Sequence, residues 1–208
     1  MAMDWSIVHA LNDFLYHHDA IEDPVLAYVK VAEALFLGLV VALCVLARHE
    51  RFAPVRRAAV AAGLSAGLGL LAGKIITEFY YRARPFVAHP GAVHMFLSHG
   101  ADASFPSDHA TASMAIALAF LLRRRFFWGV LTLVLAVILD FGRVALGLHY
   151  PTDVLGGAAI GALAALVLWA PPLRRLIDAI SDFVGGLGDR IVDAVLRRVW
   201  PASVSHSS

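Results

Sequence analysis

Arg143, His149 and Asp153 follow one another at spacings of six and four residues, in a short stretch between two apolar segments. A carboxylate four residues after an imidazole can fix the tautomer of the ring and stabilise its cation. The guanidinium of Arg143 can bind phosphate oxygens. Pro151 stands between His149 and Asp153, so we expect a turn that leads into a helix, with Asp153 near its start. These residue types predict a site for phosphoryl transfer, which needs a nucleophile, an acid and fixed positive charge.

Ser107, Asp108 and His109 follow Pro106 at the start of another apolar segment. The free backbone N–H groups and the dipole of a helix start favour an anion at this position. Ser107 can add a hydroxyl donor, and His109 can protonate a leaving oxygen. We expect Asp108 to face the ligand with its backbone N–H and not with its carboxylate. The alternative is a helix-capping serine beside a histidine at the membrane interface.

Arginines mark the end of a third apolar segment, where Arg82 and Arg84 precede Pro85. An unpaired arginine at a membrane edge is costly, and its planar fork binds phosphate oxygens in pairs, which a lysine cannot do. We therefore expect Arg84 and Arg143 to bind phosphate. Arg82 can either join them or extend to the membrane surface.

Three further charged residues lie inside the apolar segments. Lys74 is a candidate phosphate ligand, with Glu78 one helical turn later. Asp140 stands three residues before Arg143. We expect Glu78 and Asp140 to form ion pairs that hold these cations in place.

The three groups resemble the signature motifs of the type 2 phosphatidic acid phosphatase (PAP2) superfamily, from Lys74 to about Gly161. The resemblance implies that His149 is the nucleophile and passes through a phosphohistidine. Within the superfamily, the segment 79–87, the Asp108 variant and the small size look like the BcrC-type undecaprenyl pyrophosphate phosphatases. The resemblance therefore implies a membrane enzyme that acts on a polyprenyl pyrophosphate.

The sequence departs from the family pattern at three positions. Lys74 precedes Arg84 by ten residues where the family usually has seven, which places the lysine one turn deeper. Asp108 stands where most members have glycine. Gly142 replaces a serine before Arg143, which removes one hydroxyl donor, and we expect activity to survive this change.

The composition is that of a membrane protein, because 60% of the 208 residues are hydrophobic and only 16% are charged. The net charge of +1 argues against a nucleic-acid partner, and the single Cys44 excludes an internal disulfide. The N-terminus carries Asp4 and Asp13 without a basic region, so we expect no cleavable signal peptide. Oligomeric state stays open.

Five apolar segments predict an all-α bundle of about five spanning helices with a PAP2-like core. These segments are Pro24 to Ala47, Ala58 to Phe79, Pro106 to Leu122, Phe126 to Gly142 and Asp153 to Ala170. Arginines crowd the first and third loops and follow the last span, and such loops are retained in the cytoplasm. We therefore expect the N-terminus and all three motifs on the outer face of a bacterial inner membrane, and the C-terminus inside.

The flanking segments show apolar residues at helical spacing and predict amphipathic helices on the membrane surface. We divide the chain into an outer helix (1–23), a transmembrane catalytic domain (24–170) and a cytoplasmic C-terminal segment (171–208). Three glycines between 185 and 188 predict a break in the last helix.

The leading hypothesis is a phosphatase that converts undecaprenyl pyrophosphate to undecaprenyl phosphate for cell-wall synthesis. The same residues would serve a phosphatase of phosphatidic acid or phosphatidylglycerol phosphate, or a lipid A phosphotransferase. A non-catalytic lipid-binding or translocating protein is the third alternative. We expect no cofactor and no metal, because protein cations can replace magnesium at a phosphoryl group. His89, His94 and His99 are spaced by five residues, which suits a solvated loop better than a metal site.

Overall fold

Every regular secondary-structure element in the described part of the chain is a helix, as the apolar segments predict. The computed structural model describes residues 2–47 and 49–199, and for 191–199 the backbone only. The helices are α1 (Ala2–Tyr16), α2 (Asp19–Leu46), α3 (Ala53–Phe79), α4 (Pro85–Ala88), α5 (Asp108–Leu122), α6 (Phe126–Ala145), α7 (Pro151–Trp169) and α8 (Pro171–Val199), with a 3-10 turn at Glu50–Phe52.

Four helices, α2, α3, α6 and α7, are long and apolar enough to cross a membrane, among the residues that the structure describes. The expected fifth span is the shorter helix α5, whose 15 residues extend about 22 Å at 1.5 Å per residue. Helix α5 packs against α3, α6 and α7, and residues such as Ala110 and Phe120 are fully buried. The protein is therefore a multi-pass membrane bundle in which the longer helices surround α5.

Helices α5 and α7 approach so closely that their contact depends on glycine. A Cβ atom at Gly157 would collide with the carbonyl oxygen of Ser107, and one at Gly161 with that of Thr111. Small residues allow such close backbone contact between helices in lipid. The contact brings the start of α5 next to the start of α7.

Helix α1 is docked on the bundle by one buried face, formed by Asp4, Val8, Asn12 and Leu15. The amide nitrogen of Asn12 donates to the carbonyl oxygen of Ala145, at 3.0 Å, at the end of α6. The helix also contacts α2 and α7. The expectation of an amphipathic helix is met, but two of the four residues on its buried face are polar, so this face binds protein and not lipid.

Helix α8 is continuous, so the expected break at the glycines is wrong. Gly185 packs directly against the guanidinium of Arg56, where a larger residue would collide, and this close packing accounts for the glycine. Ion pairs fix α8 to the bundle: Arg57 donates to Asp182 at 2.8 Å, and Arg123 pairs with Asp178. Residues 200–208 of the proposed C-terminal segment lie outside the described residues.

The arginine-rich ends of the helices lie opposite the three motifs. Helix α3 carries Arg57 near its start and ends shortly before Arg84, whereas α5 begins at Asp108 and ends next to Arg123. Because α8 binds both Arg57 and Arg123, these two residues lie at the same end of the bundle. The motifs therefore meet at the other end.

Candidate active site

His149 lies in the turn between α6 and α7 and is almost completely buried, with 1% of its surface exposed. Its Nδ1 atom is 2.8 Å from the carbonyl oxygen of Ser104. A carbonyl oxygen only accepts hydrogen bonds, so Nδ1 carries the proton. The lone pair is therefore on Nε2, which is the atom available for nucleophilic attack.

Two guanidinium groups converge on the Nε2 atom of His149. Nη1 of Arg84 lies 3.0 Å from it, and Nη2 of Arg143 lies 3.1 Å from it. Arg84 precedes the short helix α4, Arg143 occupies the last turn of α6, and both are buried. A phosphoryl group that approached Nε2 would meet both cations, so the arrangement suits attack on phosphorus with charge stabilisation of its oxygens.

The surroundings of His149 keep its imidazole neutral. Burial lowers the pKa of His149 well below its ordinary value of 6.5, and the charges of Arg143 and Arg84 lower it further. A neutral imidazole keeps the Nε2 lone pair available. The same groups that would bind phosphate therefore also maintain the nucleophilic form of the ring.

Asp153 does not contact His149 in the way that the four-residue spacing suggests. Its Oδ2 atom accepts from the hydroxyl of Ser104 at 2.6 Å and from the backbone N–H of Tyr150 at 2.9 Å. The reason is local: Asp153 is in the first turn of α7 and its carboxylate turns back to cap that helix. Asp153 thus reaches the imidazole through Ser104, which accepts from Nδ1 with its carbonyl oxygen.

Arg82 is placed away from the phosphate-binding position that the sequence left open for it. Its guanidinium donates to Asp153 and Thr152 at 2.7 Å and to Asp4 at 2.8 Å, and it lies 4.0 Å from the centre of the Tyr150 ring. Two carboxylates thus share its single positive charge. The sequence expectation is corrected here, because this cation is engaged within the protein.

Ser107, Asp108 and His109 form the start of α5. The Ser107 side chain accepts from the backbone N–H of Ala110, so the serine is the helix N-cap, as the alternative interpretation held. Asp108 is exposed and His109 partly exposed, in the first turn. Nε2 of His109 is 3.9 Å from a carboxylate oxygen of Glu33, a residue of α2 to which the sequence gave no role.

The expected ion pairs around Lys74 and Asp140 are not formed in the part of the chain that the structure describes. Lys74 and Glu78 are both exposed on α3, and Gly73, the residue before Lys74, faces Pro106 and Asp108. Asp140 and Arg143 are three residues apart on α6, but Oδ1 of Asp140 and Nε of Arg143 have no hydrogen-bond partner. Their attraction is therefore electrostatic and not a direct contact.

The loop between α4 and α5 contributes residues that sequence reasoning missed. Asp102 accepts from Nε and Nη2 of Arg84 at 3.0 and 3.3 Å. Burial raises the pKa of Asp102, but the hydrogen bonds and charge of Arg84 outweigh it and hold that pKa below its ordinary value. His99, expected in a solvated loop, lies 3.4 Å from Arg143. The one sequence signal for these contacts was that both residues come shortly before the second motif in the chain.

An apolar cavity of about 480 Å³ opens beside the start of α5. Asp108, His109 and Glu33 line its polar end. The remaining lining comes from α2, α3, α5 and α6: Phe36, Leu37, Val40, Gly63, Ala66, Gly67, Leu70, Ala112, Ser113, Ile116 and Leu139. The cavity has the dimensions of a small-molecule site and a mostly hydrocarbon wall.

No group of three or more histidine, cysteine, aspartate or glutamate side chains could hold a metal ion among the described residues. The fold and the site thus define an integral-membrane helical bundle with a buried imidazole between two arginines. The chain belongs to the PAP2 superfamily, whose sequence pattern matches residues 58–176.

The chain resembles known proteins in sequence and, for a solved structure, in fold. The chain is 31% identical over 199 residues to undecaprenyl-diphosphatase BcrC of Bacillus subtilis (strain 168), with 95% of each protein covered. It is 37% identical over 122 residues to bacitracin transport permease protein BcrC of Bacillus licheniformis, covering 58% of this chain and 59% of that protein. The crystal structure of Aquifex aeolicus LpxE aligns with a TM-score of 0.63 at 17% identity, over 80% of this chain and 94% of that one, so the two share a fold.

Proposed function

We propose that the protein is a membrane phosphatase that hydrolyses undecaprenyl pyrophosphate to undecaprenyl phosphate and phosphate. The observation that carries the proposal is the position of the His149 Nε2 atom, 3.0 Å from Arg84 and 3.1 Å from Arg143. A nucleophile between two cations suits a phosphoryl group. The nearby apolar cavity suits a lipid tail.

The first half of the proposed reaction transfers the terminal phosphoryl group to His149. The Nε2 lone pair attacks the terminal phosphorus, the bond from phosphorus to the bridging oxygen breaks, and undecaprenyl phosphate leaves with the electron pair. Arg84 and Arg143 stabilise the charge on the phosphoryl oxygens in the transition state. His109 donates a proton to the leaving oxygen.

The second half releases phosphate from the phosphohistidine. His109, now neutral, accepts a proton from a water molecule, whose oxygen attacks the phosphorus as the N–P bond breaks. The electron pair returns to Nε2. Ser104 holds the Nδ1 proton throughout with its carbonyl oxygen, at 2.8 Å, so the ring keeps one tautomer and orientation.

Two features favour a pyrophosphate on a long apolar chain as the substrate. A diphosphate headgroup carries more negative charge than a monoester, and exposed Lys74 supplies a further cation on the side of Asp108. The cavity leads from His109 along α2, α3 and α5, where a prenyl chain can lie. The similarity to the B. subtilis undecaprenyl-diphosphatase over 95% of both chains supports the same assignment.

The proposed location of the site is the outer face of a bacterial inner membrane. The arginine-rich ends of α3 and α5 lie opposite the site, and loops rich in arginine are retained in the cytoplasm. Hydrolysis on the outer face would regenerate the carrier lipid that cell-wall synthesis requires.

The test of substrate class is a panel of lipid phosphates assayed with the purified protein. Undecaprenyl and farnesyl pyrophosphates should have higher kcat/KM than phosphatidic acid or phosphatidylglycerol phosphate. A higher kcat/KM for phosphatidic acid or phosphatidylglycerol phosphate than for the pyrophosphates would overturn the undecaprenyl assignment. If no member of the panel is hydrolysed, the phosphatase proposal is wrong. A transport role, as in the name of the B. licheniformis relative, would then be the better hypothesis.

The cavity can be tested separately by filling it. A side chain at Gly67 would meet no atom within 4 Å of its Cβ, so Gly67→Leu should fold and occupy the cavity. We expect lower kcat/KM for undecaprenyl pyrophosphate and unchanged hydrolysis of nitrophenyl phosphate. Gly38→Leu is the matched control, because its Cβ also meets no neighbour and Gly38 does not line the cavity. Equal effects of the two variants would exclude this cavity as the tail site.

A further inference from the structure

A continuous series of hydrogen bonds connects helix α1 with the imidazole of His149. Asp4 accepts from Nη2 of Arg82 at 2.8 Å, and Nη1 of Arg82 donates to Asp153 at 2.7 Å. Asp153 accepts from the hydroxyl of Ser104 at 2.6 Å, and the carbonyl oxygen of Ser104 accepts from His149 at 2.8 Å. Each residue in the series has at most 9% of its surface exposed, apart from Arg82, whose side chain is 16% exposed.

Arg82 holds Ser104 through two separate contacts. Its guanidinium fixes Asp153, which binds the Ser104 hydroxyl, and its carbonyl oxygen accepts from the backbone N–H of Ser104 at 2.7 Å. The position of the Ser104 carbonyl oxygen therefore depends on Arg82. Because that oxygen fixes the proton on Nδ1 of His149, the orientation of the nucleophile depends on Arg82 as well.

Asp4 completes the environment of Arg82 from outside the segment 58–176 that matches the family pattern. Its Oδ2 atom also accepts from the hydroxyl of Thr152 at 2.6 Å. Burial raises the pKa of Asp4, but the hydrogen bonds from Thr152 and Arg82 outweigh it and hold the pKa below its ordinary value. The carboxylate is thus ionised, and it shares the charge of Arg82 with Asp153.

We propose that Asp4 is a positioning residue for catalysis, which acts through Arg82, Asp153 and Ser104 to hold His149 in its attacking orientation. This inference rests on the proposed phosphatase function. It makes α1 part of the catalytic apparatus and not only a peripheral helix.

The contacts of α1 separate this role from simple anchoring. The other end of the buried face is held by Asn12, which binds the carbonyl oxygens of Ala145 and His94 and the backbone N–H of His94. Val8 is buried between Asp4 and Asn12 on this face, and Leu15 is buried after Asn12. Replacing the Asp4 carboxylate by an amide should therefore leave α1 docked while it weakens the hold on Arg82.

The test compares Asp4→Asn with Asp13→Asn in the full-length protein, because Asp13 is on the same helix with its side chain 52% exposed. We expect Asp4→Asn to lower kcat by about 10-fold, because a small displacement of the nucleophile from its attacking position slows the reaction. KM and inhibition by inorganic phosphate should stay unchanged, since Arg84 and Arg143 are untouched. Asp4→Glu should keep most activity, and Asp13→Asn all of it.

A second comparison asks whether Asp4 acts through Arg82. In an Arg82→Gln background, Asp4→Asn should cause little further loss, because residues in one network are not additive. Thr152→Val removes the hydroxyl that donates to Asp4 and accepts from Arg82, and it keeps every charge. We expect a kcat about 3-fold lower at unchanged KM. This milder variant gives an answer even if Asp4→Asn does not fold.

Several results would overturn the inference. Unchanged kcat in both Asp4→Asn and Thr152→Val would contradict it, as would a loss that appears only in KM or that is fully additive with Arg82→Gln. An inactive parent protein would instead contradict the proposed function, so the two failures are distinguishable.

Discussion

Substitution of Asp153 by asparagine tests how the nucleophile is held. If the carboxylate contacted the imidazole directly, the asparagine would favour the wrong tautomer, and in such a dyad the rate falls about 10⁴-fold. In this structure the Nδ1 proton is held by the carbonyl oxygen of Ser104 at 2.8 Å, and that carbonyl remains in Asp153→Asn. The tautomer should therefore survive.

The expected magnitude follows from the contacts that Asp153→Asn weakens. The variant disturbs the 2.6 Å bond to the Ser104 hydroxyl and the ion pair with Arg82, while the backbone bond from Ser104 to Arg82 at 2.7 Å persists. Losing one charge-assisted hydrogen bond costs about 1.5 to 3 kcal/mol. At about 1.4 kcal/mol per tenfold in rate, kcat should fall about 10- to 100-fold.

Steady-state kinetics in detergent, with a water-soluble phosphate ester and with the lipid, provide the measurement. Ser104→Ala is the matched comparison, because it removes the hydroxyl and keeps the carbonyl, and it should cost less than Asp153→Asn. Thermal unfolding of each variant shows whether the loss of the ion pair between Asp153 and Arg82 has lowered the stability of the fold. A fall near 10⁴-fold in a folded Asp153→Asn protein would refute the indirect contact.

Three further predictions concern the acid, the pH dependence of stability and the orientation. His109→Ala should impair hydrolysis of phosphatidic acid more than that of nitrophenyl phosphate, whose leaving group needs little protonation; equal losses would argue against His109 as the acid. Because the pKa of buried His149 lies well below 6.5, the unfolded chain binds a proton that the folded protein does not, and stability should fall as the pH drops below about 6.5. His149→Gln should reduce that slope in thermal unfolding from pH 7 to 5, and an unchanged slope would exclude a depressed pKa. In a Cys44→Ala background, a cysteine at position 98 should react with an impermeant reagent in intact cells and one at 124 should not; the reverse would place the site in the cytoplasm.

The sequence was sufficient for features that depend on local composition. The lengths of the apolar segments predict α2, α3, α6 and α7. The charges of the loops predict that the motifs with Arg84, Arg143 and His149 lie on one face of the membrane, and the family resemblance implies that they share a site. The structure does bring these three together, within 3.1 Å of one nitrogen atom. Their roles in catalysis stay predictions until they are measured.

The partners of individual charged side chains depend on tertiary contacts, and the sequence alone does not predict them. Arg82 and Arg84 are two residues apart and chemically identical, and only the docking of α1 and α7 assigns one to carboxylates and the other to the site. Asp4 and Asn12 share a helical face with Val8 and Leu15. Polar residues within an apolar helical face indicate contact with protein and not with lipid. The pattern does not predict which part of the bundle the face contacts.

The most direct test of the central claim is the isolation of the phosphorylated enzyme. In His109→Ala, release of phosphate from the intermediate should be slow, so rapid acid-free quenching after incubation with a pyrophosphate labelled in its terminal phosphate should trap the adduct. We expect one acid-labile phosphoryl group on His149, identified by mass spectrometry, and none in the His109→Ala, His149→Gln double variant. Labelling at another residue, or turnover by His149→Gln, would contradict the assignment of Nε2 of His149 as the nucleophile.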